Sequence, residues 1–427
     1  MDKKQLIKII DFWQKSAKEN ALFHRALVDK IDVKSGEIVD IVGPRRSGKS
    51  SVLKLLMRSL REESWLYINF EDPFFIDNNT PQIIEELIET YEQYYSSKLK
   101  YLFFDEIQNI KHWEKVIRKL RDGSRYKIFV SGSSSKLLSR ELSSLLTGRH
   151  LSYNLMPLNF REYLSFKKIN LKSEKDFILQ EMKIARYFDR YLKLGGFPKI
   201  VLEENEELLK QYYFDILEKD IVGRYDIRQK NVLEKMGLYL LSGAGKVLSI
   251  ASVERAFDVS FQAASNYLEY FKDAFLVFEV PQFSYSLKRQ QKSLKKIYAV
   301  DTGLANAVSF RFSEDYGRML ENCVFLHLCQ FFEEVYYYKT KSDLEVDFFV
   351  KKGNQKPELI QVCADLSEEK TKKREIKALV EAITELGLSS ALILTGYYRD
   401  TVKVNNYTIK VIPVSEWVLG RTFRATA

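Results

Sequence analysis

"IVGPRRSGKSS", residues 41–51, reads as the end of an apolar strand, a glycine-bearing loop and the first turn of a helix. Gly43, Pro44, Arg45, Arg46, Ser47, Gly48, Lys49 and Ser50 fit G-x-x-x-x-G-K-[ST] at every fixed position. The glycines of such a loop let backbone amides curl around anionic oxygens. The helix that follows, "SSVLKLLM", adds unpaired amides and the positive end of its dipole. Residues Gly43 to Ser51 are therefore expected to cradle a polyphosphate. Lys49 would reach the β- and γ-phosphates, and the Ser50 hydroxyl would ligate Mg²⁺. Arg45 and Arg46 sit where the loop turns outward, facing phosphate, a neighbouring subunit or solvent.

Outward from the loop, apolar runs of strand length alternate with amphipathic helical stretches up to about residue 155. The expected strands are "EIVDIVG" (37–43), "WLYINF" (65–70), "KYLFFDE" (100–106), "KIFVSG" (127–132) and "HLSYNL" (150–155). Near-continuous apolar strands separated by helices predict an α/β fold with a parallel sheet covered on both faces. The third strand delivers Asp105 to its C-terminal end, where ligands bind in open α/β sheets. Asp105 is the expected second Mg²⁺ ligand, and Glu106 beside it the carboxylate that polarises the attacking water. A glutamate is ionised at pH 7 without help from its surroundings. A full strand-and-helix unit separates the loop strand from the Asp-Glu strand, as in ATPases whose catalytic glutamate follows the magnesium aspartate. No N-K-x-D guanine signature occurs, so ATP is the expected nucleotide. Ser131 and Ser133, at the end of the fourth strand, are candidates to sense the γ-phosphate or hold the water, or else form an ordinary turn. Arg149 is a candidate arginine finger or a solvated arginine.

The composition sets limits. The chain has 427 residues, a net charge of +9, 45% hydrophobic and 29% charged residues. That is material for about three folded domains. No window reaches the ~18 apolar residues of a membrane span, and the N-terminus lacks a signal-peptide pattern, so a cytoplasmic protein away from membranes is expected. Cys323, Cys329 and Cys363 make no Cys-x-x-Cys pair. Cys323 and His327, four apart on an apolar helix, read as packing rather than metal ligands.

Residues 156–230 read as helices broken by "LGGFPKI" (194–200), a helical lid over the 1–155 core. Residues 231–300 predict a winged helix: three helices, then strands "FEVPQFSYS" and "KKIYAVD" around a basic stretch. In its third helix Phe261, Ala264, Leu268, Phe271 and Phe275 are expected on one buried face. Lys288, Arg289, Lys292, Lys295 and Lys296 would form a wing able to contact the phosphates of double-stranded DNA. The other reading is a packing module with a solvated basic loop. Residues 301–427 carry a second α/β pattern.

"GPRRSGKSS", "YLFFDEIQNIKHWEKVIRKL", "VSGSSSKLLSRELSSLLTGR" and "MPLNFREYL" resemble the AAA-type ATPases abundant in archaea and bacteria that carry a C-terminal domain of restriction-endonuclease ancestry. "LGGFP", "YAVDTGLANAV", "LENCVFLHL" and "LEVDFFV" extend the resemblance over nearly the whole chain. It implies an AAA-type ATPase core and a C-terminal endonuclease-like α/β domain; the expected function is a nucleotide-driven switch or motor acting on a protein client, alone or as a homo-oligomer. The alternative is a DNA-binding module in which ATP gates attachment or a residual nuclease. The endonuclease-like fold uses an acid on a helix, an aspartate on a strand and a Glu/Gln-x-Lys on the next strand. Glu321, Asp347 and Gln361 match those places, but Cys363 stands where the lysine belongs, so a fold kept without cutting activity is expected. Lys372 and Lys373 are the lysines that could reach the site from the following helix.

Overall fold

The computed structural model describes residues 2–420, apart from 19–21, 62–63, 135–149, 172, 310–314 and 354. Arg149 lies outside the described residues. The chain divides into two compact units, residues 1–157 with 273–275, and residues 158–272 with 276–427.

The first unit is built on a parallel sheet. Its strands are β1 (Ile38–Val42), β2 (Trp65–Asn69), β3 (Tyr101–Asp105), β4 (Lys127–Gly132) and β5 (His150–Asn154), in the order β2-β3-β4-β1-β5. All five expected strands form, within a residue or two of the expected ends. β1, β3 and β4 are buried along almost their whole length, which is why they read as unbroken apolar runs. One face packs against helix α1 (Lys3–Lys18) and helix α2 (Lys49–Met57), with Val39, Ile41, Val52, Leu53 and Leu56 in the core. There Phe103 and Phe129 stack across β3 and β4 at 4.5 Å, adding about 1 kcal/mol to the area they bury. Helices α3 (Gln82–Tyr94) and α4 (Trp113–Asp122) pack against each other. Asp40 is the polar exception in β1. Its carboxylate takes a hydrogen bond from Ser152 of β5, and burial raises its pKa to about 6.

β4 lies between β1 and β3. That order sets the C-terminal ends of the loop strand, the serine strand and the Asp-Glu strand side by side.

The second unit opens with helices Phe160–Phe166 (α5) and Glu174–Leu194 (α6), both started by full capping boxes at Asn159 and Ser173. "LGGFP" then turns the chain. Gly195 has φ 76°, and a Cβ there would lie 1.9 Å from the Asp301 carboxylate, so no other residue fits. Asp301 accepts N–H bonds from Gly196 (2.6 Å) and Leu304 (2.8 Å), tying the "GGFP" turn to the start of helix Thr302–Val308 (α7). The two motifs, 105 residues apart, form one joint.

Helices Lys230–Ser242 (α8), Ile250–Phe257 (α9) and Phe261–Asp273 (α10) accompany a three-stranded sheet of β6 (Lys246–Leu248), β7 (Val277–Pro281) and β8 (Lys295–Ala299), ordered β6-β8-β7. On α10 and just beyond it, Ala264, Leu268, Phe271 and Phe275 are buried, but Phe261 is 55% exposed, because it opens the helix before the buried face begins. The basic stretch contains a short helix, Leu287–Lys292 (α11), where a plain loop was expected.

Helix Tyr316–Leu328 (α12) leads into the last sheet: β9 (Val335–Lys339), β10 (Glu345–Val350), β11 (Glu358–Val362), helix Glu369–Leu386 (α13), β12 (Ser390–Thr395), β13 (Asp400–Val404) and β14 (Tyr407–Pro413). Its order is β13-β14-β12-β11-β10-β9, with β11, β12 and β14 parallel. On α12, Cys323 is buried and the His327 ring packs on Trp417 at 4.7 Å, its pKa lowered to about 4 mainly by burial. No helix among the described residues is long and apolar enough to cross a membrane.

Candidate functional site

In the first unit the phosphate loop springs from β1. Gly43 is needed for close approach: a Cβ there would lie 2.1 Å from the Leu155 carbonyl oxygen. Gly48 caps α2 at φ 99° and offers no side chain to its first-turn amides, which leaves them for a ligand. Lys49 is 4% exposed and donates to the Gly43 and Pro44 carbonyls at 3.1 and 3.3 Å.

β3 ends on Asp105, which is fully buried. Tyr67 donates to its Oδ2 at 2.9 Å, Ser131 donates to its Oδ1, and the Ser50 hydroxyl reaches it too. Burial, and then the neighbouring Glu106 charge, push the Asp105 carboxyl above its ordinary range, while Ser131, Ser50 and Lys49 pull it back. Burial and Asp105 also push the Tyr67 hydroxyl well up, so it stays a donor.

Glu106 has φ 51°, a left-handed conformation that costs a non-glycine residue about 1 kcal/mol or more. That turn takes the chain off β3. Glu106 Oε1 is 3.4 Å from Lys49 Nζ, and Oε2 accepts from Ser133 (3.3 Å) and Gln108 (2.5 Å). Its backbone N–H donates to Ser131 Oγ at 3.3 Å. Ser131 and Ser133 thus hold the two carboxylates, one each, from the end of β4.

The structure brings together Lys49, Ser50, Asp105, Glu106, Ser131 and Ser133. Arg45 bonds Glu71 at 2.7 Å, and Arg46 is exposed with φ 71°. Three participants carry no motif signal. Tyr67 reaches Asp105 across the sheet, and Gln108 reaches back only two residues to Glu106, around the turn that follows β3. Buried Arg25 donates to the carbonyls of Ser47 and Met156, both at 2.8 Å, fixing the loop backbone to the chain beyond β5.

The donor set suits Mg²⁺ with a nucleotide. Ser50 and Asp105 offer hard oxygens, Lys49 a buried cation, and the Ser47 hydroxyl is buried beside Gly43 with no partner among the described residues.

Residues 35–164 match the AAA domain, residues 185–315 a domain of unknown function (DUF8612) and residues 316–417 another (DUF4143). The uncharacterized protein MJ1544 of Methanocaldococcus jannaschii is 37% identical over 432 residues, covering 93% of this chain and 95% of that protein. The chain belongs to that protein's family, built on an AAA-type ATPase core. An uncharacterized protein of Haemophilus influenzae is 27% identical over 91% of this chain and 96% of its own. AMPPCP-bound DnaA from Aquifex aeolicus is similar at 15% identity, over 58% of this chain and 86% of that one, with a TM-score of 0.24. So low a TM-score decides nothing about activity.

Beyond its AAA core, this family member holds a second polar centre. Lys296 of β8 is 2% exposed, and its ammonium touches Glu321 of α12 (3.0 Å), Glu345 (2.8 Å) and Asp347 (2.9 Å) of β10. Tyr298 donates to Glu321 at 2.6 Å. Burial alone would lower the lysine's pKa, but the surrounding charges, Asp347 foremost, raise it instead, so it stays protonated. Burial and then Asp347 raise the Glu321 pKa to about 7. Glu321 and Asp347 therefore meet on one ammonium. Gln361 is turned aside: it accepts from the Asp347 N–H (3.2 Å) and donates to buried Glu375 (2.8 Å). Cys363 donates to the Asp365 carbonyl, its thiol pushed up to about 11 by burial. The two following lysines lie elsewhere, Lys372 on Asp400 and Lys373 on Glu369.

Lys296 corrects the reading of the basic stretch. Alternation along β8 turns it inward, away from solvent and any DNA phosphate. Lys295 faces outward but pairs with Glu279 at 3.2 Å. Lys288, Arg289 and Lys292 stand exposed on α11, beside Tyr285, which is 85% exposed. Among the described residues no group of three or more His, Cys, Asp or Glu side chains is placed to hold a metal ion.

Proposed function

We propose that the chain is a Mg²⁺-dependent ATPase working as a nucleotide-driven switch or motor. The observation that carries this reading is the pairing of the loop lysine with the glutamate that follows Asp105, Lys49 Nζ to Glu106 Oε1 at 3.4 Å. Lys49 would neutralise the β- and γ-phosphates, with Ser50 and Asp105 holding the Mg²⁺. That ion would supply charge neutralisation at the phosphates. Ser131 fixes the Asp105 carboxylate and the Glu106 backbone, and Ser133 and Gln108 hold the Glu106 carboxylate ready. Moving Lys49 onto phosphate frees one Glu106 oxygen from its cation, and that carboxylate then orients a water and takes its proton.

Glu106→Gln keeps the shape and removes the base. It should bind Mg·ATP and turn it over at least about 100-fold more slowly in single-turnover assays. Unchanged turnover would remove Glu106 from the mechanism.

A second reading, a DNA-binding module gated by ATP, draws on the helix-and-sheet arrangement of residues 230–299, which fits a winged helix, and on the exposed cations of α11. Stimulation of ATP turnover by double-stranded DNA, lost on charge reversal of Lys288, Arg289 and Lys292, favours it over a switch acting on a protein client. The sheet of residues 335–413, with Glu321 and Asp347 beside it, fits an endonuclease-like fold whose centre does not cut.

A further inference from the structure

The residues of the second centre do not fit the divalent ion that an endonuclease-like fold implies. Three carboxylates from α12 and β10 converge, but the point of convergence is filled by an ammonium. Their oxygens stand 2.8–3.0 Å from Lys296 Nζ, the spacing of N–H···O bonds rather than the ~2.1 Å of Mg²⁺–oxygen ligation. Each of the three N–H donors of an ammonium has one carboxylate to meet. We infer that Lys296 is a built-in cation that occupies this carboxylate centre and closes it to divalent metal ions.

The way the lysine is delivered supports this. β8 is the middle strand of its sheet, and Lys296 is paired on both sides, with Val247 of β6 and Val280 of β7. Ladder hydrogen bonds on both sides thereby fix the strand backbone from which the side chain projects. Its stem passes the Tyr337 ring, 5.9 Å from Nζ to the centroid. A divalent ion entering beside it would bring two positive charges against a buried ammonium. The three carboxylates already meet the three N–H donors of that ammonium, so a divalent ion could ligate them only by displacing it. The same contact joins β8, α12 and β10, so one ammonium does the structural work of a metal.

The consequence is a latent metal site, released by removing the charge. Nucleotide-free full-length protein should show no Mn²⁺ bound at this centre by electron paramagnetic resonance, and a melting temperature indifferent to Mn²⁺. Lys296→Met, which keeps the length of the stem, should melt lower without metal and recover on adding Mn²⁺. It should bind the ion at least about tenfold more tightly than wild type. Adding Asp347→Asn to Lys296→Met should abolish that recovery. Lys296→Arg, which keeps the charge, should remain indifferent to Mn²⁺.

Two results overturn the inference. One is Mn²⁺ binding by the wild-type chain that Asp347→Asn abolishes. The other is a folded Lys296→Met protein that gains no Mn²⁺. If Lys296→Met does not fold even with Mn²⁺, the wild-type and Lys296→Arg titrations still decide.

Discussion

Ser131 is the side chain on which both carboxylates of the nucleotide site depend. Its hydroxyl donates to Asp105 and accepts the Glu106 N–H, so one atom sets the proposed Mg²⁺ ligand and the turn that carries the proposed base. Ser131→Ala should raise the Mg²⁺ concentration for half-maximal ATP turnover by about tenfold, with little loss of fold, since one buried hydrogen bond to a charged group is worth about 1.5–3 kcal/mol. A Mg²⁺ titration of turnover checks this; an unaltered requirement removes Ser131 from the site. The serine-rich strand end was visible in the sequence, but which serine served which carboxylate was not, because both answers depend on β4 lying next to β3. Lys296 was misread for a related reason. A run of lysines suggests a solvated loop, and only the register of β8 turns this one inward while Lys295 faces out.

Among the elements, the strands of the first sheet were legible because strands buried on both faces are unbroken apolar runs, as in "YLFFD". β6 was not, having three residues and little burial; the alternation of "TVKVNNYTIKV" about its Asn-Asn pair is the signal that would have found β13 and β14. The joint between "GGFP" and α7 was seen only as two separate motifs, since a contact across 105 residues leaves no local period. Asp301 tests that joint. Burial raises its pKa to about 6, against the opposing amides of Gly196, Leu304 and Gly303. The folded protein holds this proton to a higher pH than the unfolded chain, so the stability it contributes is full below about pH 4 and lost as pH rises through about 6. Wild type should therefore be most favoured over Asp301→Asn near pH 4, the margin shrinking by about 3 kcal/mol by pH 7. Urea denaturation across that range measures it, and a margin that grows with pH would contradict the assignment.

At the scale of the whole chain, a net charge of +9 turns out to be partly internal. Lys49, Lys296 and Arg25 are buried and committed to carboxylates or carbonyls, so the surface cations that remain for a partner are fewer than the sequence suggests. The AAA core and its ligand class could be read from residues 41–51 and 101–106, because phosphate chemistry demands a fixed local spacing. The client could not, because nothing about it is local. What joins the levels is the proposed binding of Mg·ATP at the loop, and calorimetry on the nucleotide-free full-length protein tests that most directly. One Mg·ATP per chain should bind, and Lys49→Ala should weaken it by at least about tenfold. No uptake by folded protein, or equal affinity in Lys49→Ala, would contradict the nucleotide site.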